Sequence, residues 1–266
     1  MTAQPAFAQK RKTGTTPKQV QKTEKQKVVE KSGMITITFD DAHYTQLFTL
    51  PFMNQHGFKG VLYVPVEPLA QQYMGYHMTA EGMKLFADLG WQIGSHSYDH
   101  EAFPKFTKSK DIEEDMLRAH EQLVWFYNLP ITSYAPPYSH LTDSMLAVAK
   151  ANYRSIRHVW NDNTCSAKGC SNGLNDLLKK QFYDLCSADI GMMGEFKYAG
   201  NLNNLLRQAR EEKKWLILTF HKFPMNNPEQ GGHDFLVSEF KELMKMIADN
   251  GLPVVTIDEG IRRIEE

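Results

Sequence analysis

The chain has 266 residues, 42% hydrophobic and 23% charged, with a formal net charge of −1. This is the composition of a globular protein able to bury a sizeable core. It excludes a nucleic-acid or anionic-membrane partner recognised by bulk charge, and no apolar run approaches the roughly 20 residues of a spanning helix.

The first residues, MTAQPAFAQ, contain Ala6-Phe7-Ala8, similar to the A-x-A end of a secretion signal but lacking the basic start and apolar core before it. A trimmed signal and a chance match both fit. Residues 9–33 are rich in Lys and Gln and carry no aromatic residue. Such a segment cannot bury a core, so residues 1–33 are expected to be a flexible basic tail or linker ahead of a domain spanning 34–266.

From Met34 the pattern alternates. MITITF predicts a strand, and YTQLFTLPFMNQHG a helix kinked near Pro51 and ended by Gly57. GVLYVPV is a strand. TAEGMKLFADLG is a helix with Thr79 as N-cap and Gly90 just past its end. WQIGSH predicts a strand, KDIEEDMLRAHEQLVWFYN a long amphipathic helix, and ITSYAPP a strand stopped by Pro136. LTDSMLAVAKAN is a helix, YRSIRHV a strand, and a short strand is expected over Gln181–Cys186. AGNLNNLLRQAREEKK (helix), WLILTF (strand), HDFLVSEFKELMKMIADNG (helix) and PVVTI (last strand) complete the series. Apolar strands alternating with helices imply a parallel sheet covered by helices. Seven or eight such units in about 230 residues point to an α/β barrel of the (β/α) type.

In such barrels chemistry gathers at the C-terminal strand ends. There the sequence places Asp40 and Asp41, then His96, then Pro136, Pro137 and Tyr138, then His221. The stretch 96-HSYDH-100 puts two histidines four apart, which on a helical turn would share one face and one ion. A carboxylate of the Asp pair would complete the ligand set. Adjacent residues at a strand end point apart, so the other carboxylate stays free as a base. Each feature has a plain structural alternative: an Asp-Asp turn, a chance H-x-x-x-H, a stiff proline loop. Their joint order along one rim favours a site.

That order resembles the polysaccharide deacetylases, carbohydrate esterase family four, over about Met34–Glu259. TFDDA is similar to the family's first motif, which implies Asp40 as catalytic base and Asp41 as metal ligand. HSYDH resembles the second, which implies ligands His96 and His100. YAPPYS resembles the third, which implies an oxyanion-holding backbone N–H at Tyr138, beside Pro137. ILTFHKF resembles the last, which implies His221 as catalytic acid and Leu218 lining the acetyl pocket. The resemblance implies a distorted (β/α)7 barrel holding one divalent metal, zinc first, with cobalt and nickel also suited. The implied partner is an N-acetylated polysaccharide or oligosaccharide, and the implied location is secreted, periplasmic or cell-envelope associated.

The sequence departs from the family pattern in places. Ala135 stands where the third motif often carries an Arg that orients the base, and Arg154 or Arg157 on the next strand is a candidate substitute. Ser139 replaces a usual Gly and Gln92 a commoner Glu. Trp160-Asn161-Asp162 loosely echoes the fourth motif, and Tyr98, Tyr138 and Trp160 are candidate sugar-stacking groups. Cys165 and Cys170 lie in a polar loop, either paired or free. The leading reading is an N-deacetylase of a GlcNAc-containing polymer. An O-deacetylase, a small-molecule amidohydrolase and a non-catalytic sugar binder are the alternatives.

Overall fold

The computed structural model describes residues 32–67, 76–100, 109–159, 172–191, 198–226 and 233–266. The expected tail up to residue 31, Trp160-Asn161-Asp162, and the loop with Cys165 and Cys170 lie outside the described residues.

The chain runs β1 (Met34–Phe39), a 3-10 helix (Tyr44–Thr49) leading into α1 (Leu50–Gln55), β2 (Val61–Val64), α2 (Ala80–Asp88), β3 (Gln92–Ser95), α3 (Ser109–Tyr127) and β4 (Ser133–Tyr134). It continues through a 3-10 turn (Pro137–Ser139), α4 (Asp143–Asn152), β5 (Ser155–Val159), β6 (Leu174–Asn175), β7 (Leu185–Asp189) and a 3-10 turn (Ala199–Leu202). The last elements are α5 (Asn203–Glu211), β8 (Trp215–Phe220), α6 (Val237–Asn250) and α7 (Ile257–Glu265). Pro51 sits in the first turn of α1, where its missing N–H costs nothing, so it starts that helix rather than kinking one.

Parallel strands β1-β2-β3-β4-β5-β7-β8 form a barrel that closes where β8 pairs with β1 from Met34↔Trp215 to Phe39↔Phe220. This is a (β/α)7 barrel. Its distortion lies at the N-terminal end. There β2 meets β1 only at Thr38 and Phe39, and below that Ile35 bonds to the segment Pro253–Val255. Likewise β7 meets β8 only at Leu218 and Thr219, and antiparallel β6 takes the lower part of that edge. Short inserted segments therefore plug the bottom, while neighbouring strands close the top. The expected last strand at PVVTI is one such plug: Val254 makes an isolated bridge to Ile35. Thr256 then caps α7 by accepting from Glu259 N, and α7 buries Ile257, Ile261 and Ile264 under the barrel.

Strand alternation sorts side chains between two layers. Ile35, Ile37 and Phe39 face outward into the layer shared with the helices, where Phe39 packs against Phe86, Trp91, Phe220, Phe223 and Phe240. The α6 stripe Val237, Phe240, Leu243, Met244 and Ile247 covers the same layer, and Gly251 at φ 77° ends that helix. Thr36 and Thr38 face inward. The barrel interior is built of small hydrogen-bonded groups: Thr38 Oγ1 to Thr219 Oγ1 at 2.8 Å, Thr219 to Ser187 at 2.7 Å, and Tyr63 OH to Ser133 Oγ at 2.7 Å. Buried hydroxyls satisfied this way carry no desolvation penalty for lack of a partner. They also leave room for one long side chain, Arg157.

Candidate active site

The inward register of each strand ends at the barrel's C-terminal mouth. Asp40 follows β1, His96 follows β3, Ala135 follows β4, Asp189 ends β7 and His221 follows β8. The ladder continues one residue past the strands: Asp40 N donates to Phe220 O at 3.0 Å and His96 N to Val64 O at 3.0 Å. Buried Gln46 ties two strand ends together, its Nε2 donating to Asp40 O at 2.6 Å and to His221 O at 2.7 Å.

The backbone turns sharply after Asp40. Asp41 and Ala42 both adopt left-handed φ, 67° and 51°, a conformation that needs support outside glycine. His77 supplies it through a 2.8 Å hydrogen bond between Nδ1 and Asp41 O. The turn swings the two carboxylates into different surroundings.

Asp41 Oδ1 lies 3.0 Å from His100 Nε2 and 3.3 Å from His96 Nε2. The oxygen is buried and makes no aligned hydrogen bond among the described residues. His96 Nδ1 lies 2.7 Å from Ala135 O, so it carries the proton, and Nε2 is left to face Asp41. Donors on one tetrahedral zinc sit about 3.3 Å apart, given bonds of about 2.0–2.1 Å. Asp41, His96 and His100 fit a divalent ion on donor type, spacing and the orphaned oxygen. Burial alone would raise the Asp41 carboxyl pKa; pairing with His100 and His96 outweighs it and holds the group well below the usual carboxylate range. The expected helical turn at 96–100 is absent. Ser97 and His100 take positive φ, 67° and 57°. The loop is set instead by His100 N donating to Ser97 Oγ at 3.0 Å and Tyr98 N to Asp115 at 3.2 Å.

Asp40 faces a different partner. Arg157 of β5 donates from Nη2 to Asp40 Oδ1, and both side chains are almost wholly buried. The Arg157 guanidinium lies over the Tyr63 ring at 4.6 Å, a cation–π contact inside the barrel. Arg154, the other candidate, points to the surface and pairs with Glu265 at 3.2 Å. The cation missing at Ala135 is thus supplied one strand later.

Across the mouth, His221 Nε2 stands 3.9 Å from Asp40 Oδ2. Its Nδ1 is 3.5 Å from Asp189 Oδ1, and the second Asp189 oxygen is 2.7 Å from His233 Nδ1. Burial alone would lower the His221 pKa, but Asp189 beside it, helped by the Asp41 and Asp40 charges, lifts it to about 9. Burial would likewise raise Asp189, yet the contacts with His221 and His233 lower its pKa.

The remaining expected residues divide. Tyr138 is exposed at the mouth with its ring 5.2 Å from that of His100, and Pro137 is buried beneath it. Ser139 has φ 56°, the conformation that favours the glycine usual there, and its Oγ accepts from Val159 N at 2.8 Å. Leu218 does not join the mouth. It lies on the outward face of β8, fully buried in the helix-facing layer, whereas its neighbour Thr219 points inward. Arg118 covers one face of Tyr98 at 3.7 Å, which leaves that ring poorly placed for sugar stacking. Gln92 is structural, receiving Asp258 N at 3.0 Å and donating to Thr132 at 3.2 Å. His43, which the family pattern leaves without a role, caps the first 3-10 helix by accepting from Thr45 N. Cys186 on β7 is disulfide-bonded.

Sequence reasoning missed Asp189 and His233. Asp189 carried a usable signal, as a carboxylate at the end of a short apolar run, DLCSAD. His233 had none, standing as the first residue of the expected helix HDFLVSEFKELMKMIADNG.

A family model described as polysaccharide deacetylase matches residues 27–156. No curated protein matches the sequence. Among solved structures, the chain is similar to the peptidoglycan deacetylase PdaC from Bacillus subtilis, at 14% identity and TM-score 0.56, over 88% of this chain and 92% of that one. It is similar to a family 4 acetyl xylan esterase from Clostridium thermocellum in complex with a cobalt ion, at 14% identity and TM-score 0.56, over 86% and 90%. A third is a CE4 family pseudoenzyme from Bacillus anthracis, at 14% identity and TM-score 0.57, over 86% and 66%. At such identities these structures speak for the fold, while the family model covers the segment carrying the first three motifs. The sequence match to the polysaccharide deacetylase family model thus spans residues 27–156, just under half of the chain, and the likeness to the solved structures is one of fold.

Proposed function

We propose that the chain is a metal-dependent N-deacetylase of a GlcNAc-containing polysaccharide, of the peptidoglycan, chitin-like or exopolysaccharide kind. The observation that carries this is the position of Asp40: one oxygen held by Arg157, the other aimed across the mouth at His221, beside the Asp41–His96–His100 cluster. A sugar binder has no use for a fixed base opposite a protonated imidazole. The same arrangement supports an active enzyme over the pseudoenzyme reading that the fold alone would permit.

Asp41, His96 and His100 would hold the divalent ion, with zinc, cobalt and nickel all suited to imidazole and carboxylate donors. When bound, the ion polarises the acetyl carbonyl and acidifies a water molecule. Asp40 Oδ2 accepts the proton of the attacking water, since Oδ1 is engaged by Arg157. The Tyr138 N–H supports the oxyanion at the rim. His221, with its pKa raised to about 9, is protonated at neutral pH and gives its Nε2 proton to the departing amine. An amine leaving group needs that proton, which favours N- over O-deacetylation. The O-deacetylase alternative keeps support from the likeness to the acetyl xylan esterase. The disulfide at Cys186 supports an oxidising location, secreted or at the cell envelope.

The test is acetate release from chitin oligomers, peptidoglycan, poly-N-acetylglucosamine and acetyl-xylan, with and without chelator. Chelator-sensitive release from an N-acetylated polymer is expected. Release from acetyl-xylan alone would favour the ester reading, and none from any substrate would remove the enzyme reading.

A further inference from the structure

Asp189, His221 and His233 repeat the donor set of the Asp41 cluster, one carboxylate and two imidazoles, with their ligand atoms all within 4.8 Å of one another. The three come from different places: the end of β7, the residue after β8, and the segment that precedes α6. Asp189 Oδ1 and His221 Nδ1 are both buried and, among the described residues, both lack an aligned hydrogen-bond partner. They stand 3.5 Å apart, too long for a good hydrogen bond but close to the roughly 3.3 Å separating two donors on one tetrahedral ion. His233 Nδ1 lies 2.7 Å from the other Asp189 oxygen, and its ring is 4.8 Å from that of His221. His233 is half exposed, which gives an ion a route in from solvent.

We propose that Asp189, His221 and His233 form a second site for a zinc-class divalent ion, separate from the Asp41–His96–His100 cluster. Binding there releases the proton of His221 Nδ1 to solvent, because a coordinating imidazole must present a lone pair. The ring then carries a proton only on Nε2 and is a neutral ligand, a far weaker acid than imidazolium. Metal in this site therefore switches off proton donation by His221. Occupancy stands on the three side chains alone; the consequence for turnover rests on the reading of His221 as the acid.

The experiment is a titration of the metal-free full chain with Co2+ and with Zn2+, followed by calorimetry and by cobalt ligand-field absorption. Two equivalents are expected for the native chain, and one each for His233→Ala and Asp189→Asn. His100→Ala, which damages only the first site, should retain the second equivalent. A single equivalent in the native chain, or two equivalents kept by both His233→Ala and Asp189→Asn, overturns the site. Acetate release should fall by about 10²-fold as the second equivalent fills, the scale of a lost general acid. If the second equivalent binds and turnover does not change, the metal site stands and the assignment of His221 as acid falls.

Discussion

Arg157 on β5 holds Asp40 at the end of β1, guanidinium to carboxylate, inside a barrel where Arg157 lies over the Tyr63 ring. Among the described residues, the other ion-pair partner of either group is His221, 3.9 Å from Asp40 Oδ2. Removing one partner leaves the other buried and uncompensated, which costs about 3–5 kcal/mol. Arg157→Ala should show that loss in chemical denaturation and lower kcat more than it raises KM. Arg157→Lys should not rescue it, because a point charge cannot reproduce the planar fork. Arg154→Ala, on a surface pair, should change stability by less than about 1 kcal/mol and leave kcat alone. Equal effects from the two changes would contradict the assignment.

The Asp41 cluster should govern metal content. Asp41→Ala, His96→Ala and His100→Ala are each expected to lose the ion of the first site while keeping the far-ultraviolet circular dichroism of the native chain. Asp41 Oδ1 sits within tetrahedral spacing of both imidazole nitrogens, so each loss removes a ligand outright. Full retention of that ion in any one variant would remove that residue from the ligand set.

The raised pKa of His221 sets a pH window. Its value lies at about 9 in the folded chain against 6.5 unperturbed. The protonated form and its pairing with Asp189 therefore add stability fully below about pH 6.5, and that contribution is lost as pH rises through about 9. Turnover should show an alkaline limb in the same region. Asp189→Asn removes the main charge that offsets burial and leaves only the Asp41 and Asp40 charges against it, so the limb should move to lower pH. An unmoved limb would mean that another group sets it.

Gly94 on β3 is a packing constraint on the same pair. A Cβ there would meet Tyr63 Cδ1 and Cε1 at 2.4 Å. Tyr63 is the ring beneath Arg157 and is hydrogen-bonded to Ser133, so it has little freedom to yield. Gly94→Ala is expected to destabilise by about 1–3 kcal/mol, the usual cost of overpacking, and to lower kcat as Arg157 is displaced. Denaturation midpoints and initial rates measure the two effects, and a neutral change would contradict the tight interior.

Much of this was legible from residue order. Continuous apolar strands alternating with helices imply the barrel, and the strand-end rule gathers Asp40, His96 and His221 before any coordinates. What escaped depended on geometry that sequence does not carry. Arg157 and Arg154 read alike as basic residues of one strand region, and only the inward register of β5 distinguishes them. The H-x-x-x-H spacing suggested a helical turn, whereas positive φ at Ser97 brings the imidazoles together by a loop. Leu218 was placed at the acetyl pocket, yet strand alternation turns it outward. Helix α7 was missed although Ile257, Ile261 and Ile264 fall at i, i+4 and i+7, because Ile257 also closes the apolar run PVVTI that reads as a strand.

The most direct measurement is metal content and acetate release for Asp40→Asn on one N-acetylated polymer. The substitution keeps the shape of the side chain and removes its capacity to take a proton, while leaving Asp41, His96 and His100 untouched. The account predicts native metal content with turnover reduced by about 10²-fold or more. Native turnover in Asp40→Asn with its metal bound would contradict it.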